Sequence, residues 1–259
     1  HRQWMREHTV DRARELLSSN LPSLLAFECA TGGCLDSLAL AFAGFHHLGG
    51  SEDVKHTLGL FKSKLFEDLT LAPCLGDARD WKEWIHKLPH DLDYYKAGMP
   101  CPDYTSLGSK EGIAGKKGGD LFVLQIAIIL YLLPKVVRLE IVPFCLEIND
   151  GFEFKHVVDE LSAHYKVYSK VVECWRYGDA TARKRLFIIG VRNDLNVTWT
   201  WPDPTHDESW YLTARDIAVP DKEVHPYYLR HDSPVPCDRY SVPPAGTVQT
   251  IGWAEQSER

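Results

Sequence analysis

Short apolar runs alternate with helical patterns from residue 23 to about residue 195, and this alternation limits the possible folds more than any other feature. Short apolar runs are typical of buried strands, whereas apolar residues recurring every three to four positions are typical of helices. The predicted strands are SLLAF (23–27), HHLGGSE (46–52), LDYYKAG (92–98), KVVRLEIV (135–142), KVYSKVVE (166–173) and RLFIIGV (185–191), and the predicted helices are 35–45, 121–133 and 152–164. Strands that alternate with helices predict an α/β fold with a mainly parallel sheet and helices on both faces.

We assign the α/β domain to residues 23–195. The two segments that flank it differ from it in composition and in the spacing of their apolar residues. Residues 1–22 have the composition and apolar spacing of a helix, so they predict an N-terminal helical segment. Residues 196–259 contain many prolines and no periodic pattern. This last segment predicts irregular structure or the start of another module.

The bulk composition excludes several classes of protein. Hydrophobic residues make up 44% of the 259 residues and charged residues 25%, as in soluble globular proteins. The longest apolar run, 121–134, contains Gln125 and is shorter than the roughly 20 residues of a membrane span. A net charge of −7 argues against a protein that coats nucleic acid, but not against a nucleic-acid enzyme. Seven cysteines without zinc-site spacing indicate reduced thiols, an intracellular setting and no metal, and His46 and His47 fit packing or surface positions.

Three loops at successive strand ends carry residues suited to a cofactor that contains a nucleoside. The first, ECATGGCLD, is a glycine-bearing turn that lets a ligand approach backbone N–H groups. The second, GSED, carries acidic side chains that can accept hydrogen bonds from ribose hydroxyls, and the third, CLGDARDW, carries Asp77 after a glycine. The absence of GxGxxG favours S-adenosylmethionine over a dinucleotide. The candidate cofactor residues are Thr31, Gly32, Gly33, Glu52, Asp53, Asp77 and Ala78, together with Pro100.

A single cysteine lies between two prolines in the segment GMPCPDYTSLG (98–108). Pro100 and Pro102 fix the backbone on both sides of Cys101 and hold it outside a helix. This arrangement fits a structural turn with an incidental thiol, and it also fits a nucleophile held in place.

The order of these motifs resembles the DNA cytosine-5 methyltransferase family. The chain carries the glycine-bearing loop, the acidic ribose loop and the GD loop, followed by GMPCPDYTSLG, PKVVRLEIV and YGDATARKRLFIIGVRNDL. These match the family's cofactor loops, PCQ-type nucleophile loop, ENV strand end and QxRxR segment. The resemblance covers about residues 23–195. It implies a Rossmann-like fold that uses S-adenosylmethionine.

The resemblance also implies roles for four residues. Cys101 would be the nucleophile that adds to C6 of cytosine, and Glu140 would be the acid that protonates N3. Glu147 is the alternative candidate for the acid. The spacing from the PK before the strand and from the DG after it matches the family's motif for Glu140. Arg183 and Arg185 match the family's two arginines, of which one would hold the base at O2 and the other a loop or a phosphate.

The resemblance further implies a flipped cytosine in duplex DNA as the substrate. Residues 196–259 would then hold the start of a target-recognition region, completed by a further C-terminal region or a second polypeptide. The chain differs from the family at Ile141, where Asn is usual, and at Thr181, where Gln is usual.

Two alternatives remain open at this point. Thr105 matches a tRNA-modifying branch of the family, so a structured RNA is one alternative substrate. The other alternative is a catalytically weak module that binds a cofactor or a partner chain. An enzyme of this kind is expected in the nucleus of a eukaryote, or in the cytoplasm of a bacterium or a virus-infected cell.

Overall fold

The computed structural model describes residues 24–30, 35–52, 74–90, 92–100, 102–104, 111–115, 119–213 and 216. Most of the predicted domain of 23–195 lies within these ranges. The predicted helical segment 1–22 and the chain beyond residue 216 lie outside them. The boundaries assigned from the sequence therefore remain predictions.

The described residues contain six strands and four α-helices. They are β1 (Leu24–Cys29), α1 (Leu35–Phe42), β2 (Phe45–Ser51), α2 (Trp81–Trp84), β3 (Tyr94–Gly98), α3 (Gly119–Leu132), β4 (Val136–Ile141), α4 (Phe152–Ser162), β5 (Tyr165–Glu173) and β6 (Lys184–Arg192). The six strands and three helices predicted above from the apolar patterns of residues 23–195 are present, with ends shifted by a few residues. The strand expected before CLGDARDW lies mostly outside the described residues, and the structure describes an isolated bridge between Cys74 and Gly50 there. The four-residue helix α2 is the one helix here that the apolar pattern did not predict, because it is too short for a helical period to show.

The six strands form one sheet with the order β2-β1-β3-β4-β6-β5. Strand β1 lies parallel to β2 and β3, and β3 lies parallel to β4. Strand β6 runs antiparallel to β4. The predicted α/β fold with a mainly parallel sheet is therefore confirmed, with one antiparallel neighbour that the apolar runs did not reveal.

Aromatic and aliphatic side chains fill one face of this sheet. Phe27 and Tyr95 are fully buried, with ring centroids 6.1 Å apart, and Phe27 also lies 5.4 Å from Trp84. The Tyr95 hydroxyl donates to Gln125 of α3 at 2.5 Å, so α3 covers this face. Burial of such large rings contributes much of the core energy. Because side chains alternate along a strand, the neighbours of these residues point to the opposite face.

The chain divides into two compact units. The first comprises residues 1–171 and 186–200, and the second comprises residues 172–185 and 201–259. Within the second unit, the N–H groups of Thr205 and His206 both donate to the Arg176 carbonyl, at 2.9 and 3.0 Å. Among the described residues of both units, no helix has the length and apolarity needed to cross a membrane.

Candidate active site

The carboxyl ends of β1, β2 and β3 lie at one edge of the sheet, because these strands are parallel. Just past β2, the Glu52 N–H donates to the Gly76 carbonyl at 2.9 Å, and the Leu75 N–H donates to the Gly50 carbonyl at 2.8 Å. Gly76 has φ +118°, a conformation that favours glycine. These bonds hold the segment before Asp77 against the end of β2. The structure therefore brings the two predicted acidic cofactor loops together.

The described residues of these loops fit the adenosyl part of S-adenosylmethionine. Glu52 is nearly buried at the end of β2, where a carboxylate can accept hydrogen bonds from ribose hydroxyls. Asp77 accepts the Arg79 N–H through Oδ1 at 2.8 Å, which fixes the carboxyl at the start of the next turn. Ala78 is buried and small beside it. Of the other predicted cofactor residues, Pro100 is half-buried after β3, and Thr31, Gly32, Gly33 and Asp53 lie outside the described residues.

Glu140 lies at the carboxyl end of β4 and is half-buried. It is the register partner of Gly98, the last residue of β3. The Met99 N–H donates to the Glu140 carbonyl at 3.1 Å, so the chain is bonded to Glu140 two residues before Cys101. Cys101 itself lies outside the described residues. The predicted acid is thus placed beside the segment that leads into the predicted nucleophile.

The chain is anchored again just after Cys101. Residues Pro102–Tyr104 form a 3₁₀ turn in which Asp103 and Tyr104 are fully buried. The Asp103 carboxylate accepts the Gly119 N–H at 2.9 Å, and the Tyr104 hydroxyl donates to the Gly119 carbonyl at 3.3 Å. Asp103 was not predicted as a functional residue. An acidic residue directly after a proline-flanked cysteine was the available signal, since a buried carboxylate needs hydrogen-bond donors.

The rival glutamate has a different environment. Glu147 is exposed and follows the 3₁₀ turn Pro143–Leu146, with its N–H bonded to the Phe144 carbonyl. Ile141, at the position where the family has Asn, is buried in the sheet and pairs with Leu186 of β6. These placements favour Glu140 over Glu147, although the catalytic assignment remains a prediction.

A network of charged side chains lies on the sheet face opposite the aromatic core. Lys96 Nζ lies 2.8 Å from Glu28 Oε1 and 2.6 Å from Asp36 Oδ2. Arg138 Nη2 lies 2.6 Å from the other Asp36 oxygen. Ser37 donates a short hydrogen bond to the second Glu28 oxygen. Sequence reasoning missed this network, although an acid directly after one predicted strand and a base within another were its visible signal.

Burial and attraction set the protonation behaviour of this network. Burial raises the pKa of Glu28, and the attraction of Lys96 opposes that rise. For Asp36, burial acts to raise the pKa, but attraction to Lys96 and Arg138 outweighs it and the pKa is lowered. For Lys96, burial acts to lower the pKa, but attraction to Glu28 and Asp36 outweighs it and the pKa is raised. Lys96 is therefore a cation at neutral pH.

His47 borders the network and is 2% exposed, whereas His46 is exposed. Neither His47 ring nitrogen has a hydrogen-bond partner among the described residues, and Nε2 lies 3.9 Å from Glu28 Oε2. Burial, together with repulsion from His46 and Lys96, lowers the pKa of His47 from 6.5 to about 4. His47 is thus neutral at pH 7. No group of side chains within the described ranges could hold a metal ion.

We expect His47 to make the fold sensitive to acid. His47 takes up a proton near pH 6.5 in the unfolded state but only near pH 4 in the folded state. The contribution of neutral His47 to the free energy of unfolding is therefore fully present above pH 6.5 and is lost as the pH falls towards 4. The loss from this residue should reach about 3 kcal/mol. His47→Leu should flatten the fall in the free energy of unfolding, measured by urea titration between pH 7.5 and 4.5. His46→Leu is the matched control, and equal pH slopes in the wild type and His47→Leu would contradict this expectation.

The two predicted arginines belong to the second unit, at the start of β6. Arg183 is exposed, and its carbonyl accepts the Cys174 N–H at 2.8 Å. Arg185 is half-buried and donates to the Lys184 carbonyl at 2.8 Å. Glu173 lies 2.9 Å from the Lys184 ammonium. These contacts are internal to the second unit, and the base-binding role of both arginines stays a prediction.

The family model for C-5 cytosine-specific DNA methylases matches residues 30–232 of the chain. This chain belongs to that family. The type II methyltransferase M.BbvI of Brevibacillus brevis is 25% identical over 218 residues, which cover 82% of this methylase chain and 57% of M.BbvI. M.HhaI of Haemophilus parahaemolyticus is 30% identical over 138 residues, or 52% of the chain and 40% of M.HhaI. The chain spans about half the length of the curated relatives it matches.

A solved structure supports the fold of this family member. It is a prophage-encoded E. coli protein assigned as a DNA modification methyltransferase, with a TM-score of 0.59 and 20% identity over 77% of this chain and 56% of the other. The resemblance seen in the sequence and the Rossmann-like methyltransferase fold are thereby confirmed. Family membership implies S-adenosylmethionine as the cofactor, as the cofactor loops predicted.

Proposed function

We propose that the complete protein transfers a methyl group from S-adenosylmethionine to C5 of cytosine in DNA. This proposal rests on one observation in a chain of the C-5 cytosine-specific DNA methylase family. Glu140 lies beside the segment that leads into Cys101. The hydrogen bond from the Met99 N–H to the Glu140 carbonyl ties the two together. The well-packed strands β3 and β4 keep this geometry rigid, as a catalytic constellation requires.

In this proposal Cys101 and Glu140 activate the base together. The Cys101 thiolate forms a bond to C6, and Glu140 gives a proton to N3, so that C5 becomes an enamine-like nucleophile. S-adenosylmethionine supplies the electrophilic methyl group. A base then removes the C5 proton, the C6–sulfur bond breaks to release the thiolate, and N3 returns its proton to Glu140.

Recognition of the substrate involves further residues. The cytosine must leave the duplex to reach the pocket, which costs a few kcal/mol. We propose that one of Arg183 and Arg185 binds the base oxygen O2 and that the other binds a loop or a phosphate. Residues 196–259 would hold the start of a target-recognition region. A further region or a second polypeptide would complete recognition. An intracellular location, in the nucleus or the cytoplasm according to the source, is part of the same proposal.

Covalent trapping tests this function. The full-length protein is incubated with S-adenosylmethionine labelled on its methyl group and duplex DNA that contains 5-fluorocytosine, whose fluorine cannot leave as a proton does. We expect a protein–DNA adduct that carries the label and survives denaturation. A parallel reaction with structured RNA distinguishes the substrates. Adduct formation with RNA alone, or no adduct with either nucleic acid in the presence of bound cofactor, would contradict the proposal.

A further inference from the structure

A buried cation lies close to the predicted catalytic acid. A Cβ atom built on Gly98 would lie 3.4 Å from Lys96 Nζ and 3.5 Å from Glu140 Oε2. The ammonium and the carboxyl are therefore separated by no more than the sum of these distances. Gly98 has no side chain to fill the position between them. Lys96 and Gly98 are two residues apart on β3, so they share the sheet face that Glu140 occupies on β4.

The Lys96 ammonium is held firmly in this position. Lys96 is 4% exposed, and both its carboxylate partners lie within 2.8 Å of Nζ. A charge fixed in a buried site acts on its neighbours more strongly than a mobile surface charge, because water screens it less. The Lys96 ammonium is thus held in one place on the sheet face that Glu140 shares.

We infer that Lys96 is a positioning residue that favours proton transfer from Glu140 to the cytosine. This inference rests on the function proposed above. When the Cys101 sulfur bonds to C6, the C5=C6 electron pair moves towards C4, and the C4=N3 pair moves onto N3, which takes the proton from Glu140. The reaction leaves Glu140 as a carboxylate. The Lys96 ammonium stabilises that carboxylate, so proton transfer becomes more favourable.

Other charged and titratable groups face the same side of the sheet. They are Glu28 from β1, Asp36 from α1, His47 from β2, Tyr94 from β3 and Arg138 from β4. Their charges largely cancel, since the two carboxylates oppose Arg138 and Lys96, while His47 and Tyr94 are neutral at pH 7. Lys96 is distinguished from the other cation by its position next to Gly98.

The test uses a paired substitution, because Lys96→Met alone would leave the buried Glu28 carboxylate without its cation and destabilise the fold. Replacing both partners, in Glu28→Leu/Lys96→Met, removes the ammonium without leaving that charge behind. Thermal unfolding and binding of S-adenosylhomocysteine establish that the double variant is folded. The matched control is Lys135→Met, which removes an ammonium bound to Asp93 at 2.8 Å, just before β4 rather than at its carboxyl end.

The rate of adduct formation with 5-fluorocytosine DNA is then measured in the wild-type and Glu140→Gln backgrounds. In the double variant we expect the maximum rate to fall about threefold, and the same two substitutions made in a Glu140→Gln background should cause no further loss. Lys135→Met should keep the wild-type rate. A purely structural role would lower the rate equally in the wild-type and Glu140→Gln backgrounds, and that result would overturn the inference alone. A wild-type protein that forms no adduct would contradict the proposed function and remove this inference with it.

Discussion

Cys101→Ser should abolish the covalent adduct with 5-fluorocytosine DNA and lower methyl transfer by at least about 10³-fold. A serine hydroxyl is almost never ionised at neutral pH, whereas a thiol is ionised to a useful extent and is intrinsically more nucleophilic. Binding of S-adenosylhomocysteine, measured by calorimetry, should stay close to that of the wild type. An adduct that persists in Cys101→Ser would remove Cys101 from its role.

The backbone on both sides of Cys101 gives this expectation its structural basis. On one side, the Met99 N–H is bonded to the Glu140 carbonyl. On the other side, Asp103 is buried and accepts the N–H of Gly119, the first residue of α3. A segment anchored at both ends can hold a nucleophile in one place with little loss of entropy in the reaction. The serine variant keeps both anchors, so a lost adduct would report chemistry rather than misfolding.

The thiols that the structure describes are poor substitutes for Cys101. Burial raises the pKa of Cys29 and of Cys74, and it raises the pKa of Cys145 to about 12. Their thiolate fractions at neutral pH are therefore small. Cys174 is half-buried and belongs to the second unit, so Cys174→Ser is the matched control. That variant should form the adduct at the wild-type rate.

The strands could be predicted from the sequence because each is a short apolar run, and the pairing of β1, β3 and β4 follows from the usual rules for parallel sheets. The antiparallel direction of β6 was not predictable from apolar runs. Its direction depends on how the chain between β5 and β6 returns to the sheet, and residues 174–183 carry no periodic pattern that fixes this. The observed ends of each element also differ from the predicted ends, because hydrogen bonding rather than hydrophobicity sets where a strand ends.

The candidate site was predictable where a motif carries it and was missed where only tertiary contact reveals it. Glu52 and Glu140 lie at or near the carboxyl ends of predicted strands, so a parallel sheet had to gather them at one edge. Lys96 was treated as part of a predicted strand, and Glu28 as the first residue of the glycine-bearing turn. Their pairing depends on the register of β1 with β3, in which Glu28 is opposite Lys96. A one-residue shift would have placed them on opposite faces, so the pair is a consequence of register rather than of composition.

Glu140→Gln should lower the rate of adduct formation by about 10²- to 10⁴-fold, the usual contribution of a general acid. Glutamine has nearly the same shape, so the bond between the Met99 N–H and the carbonyl of residue 140 should be retained. The amide can donate a hydrogen bond to N3 but cannot transfer a proton. Single-turnover kinetics with 5-fluorocytosine DNA measure this step directly, and S-adenosylhomocysteine affinity should change little.

Glu147→Gln is the matched control for this substitution. The two glutamates are seven residues apart in the sequence, but Glu147 is exposed after a 3₁₀ turn, whereas Glu140 is the register partner of Gly98 in the sheet. A proton donor must be held against the base by a rigid element, and β4 supplies that support to Glu140. We therefore expect Glu147→Gln to react at the wild-type rate. A large loss in Glu147→Gln with normal kinetics in Glu140→Gln would transfer the role of the acid to Glu147.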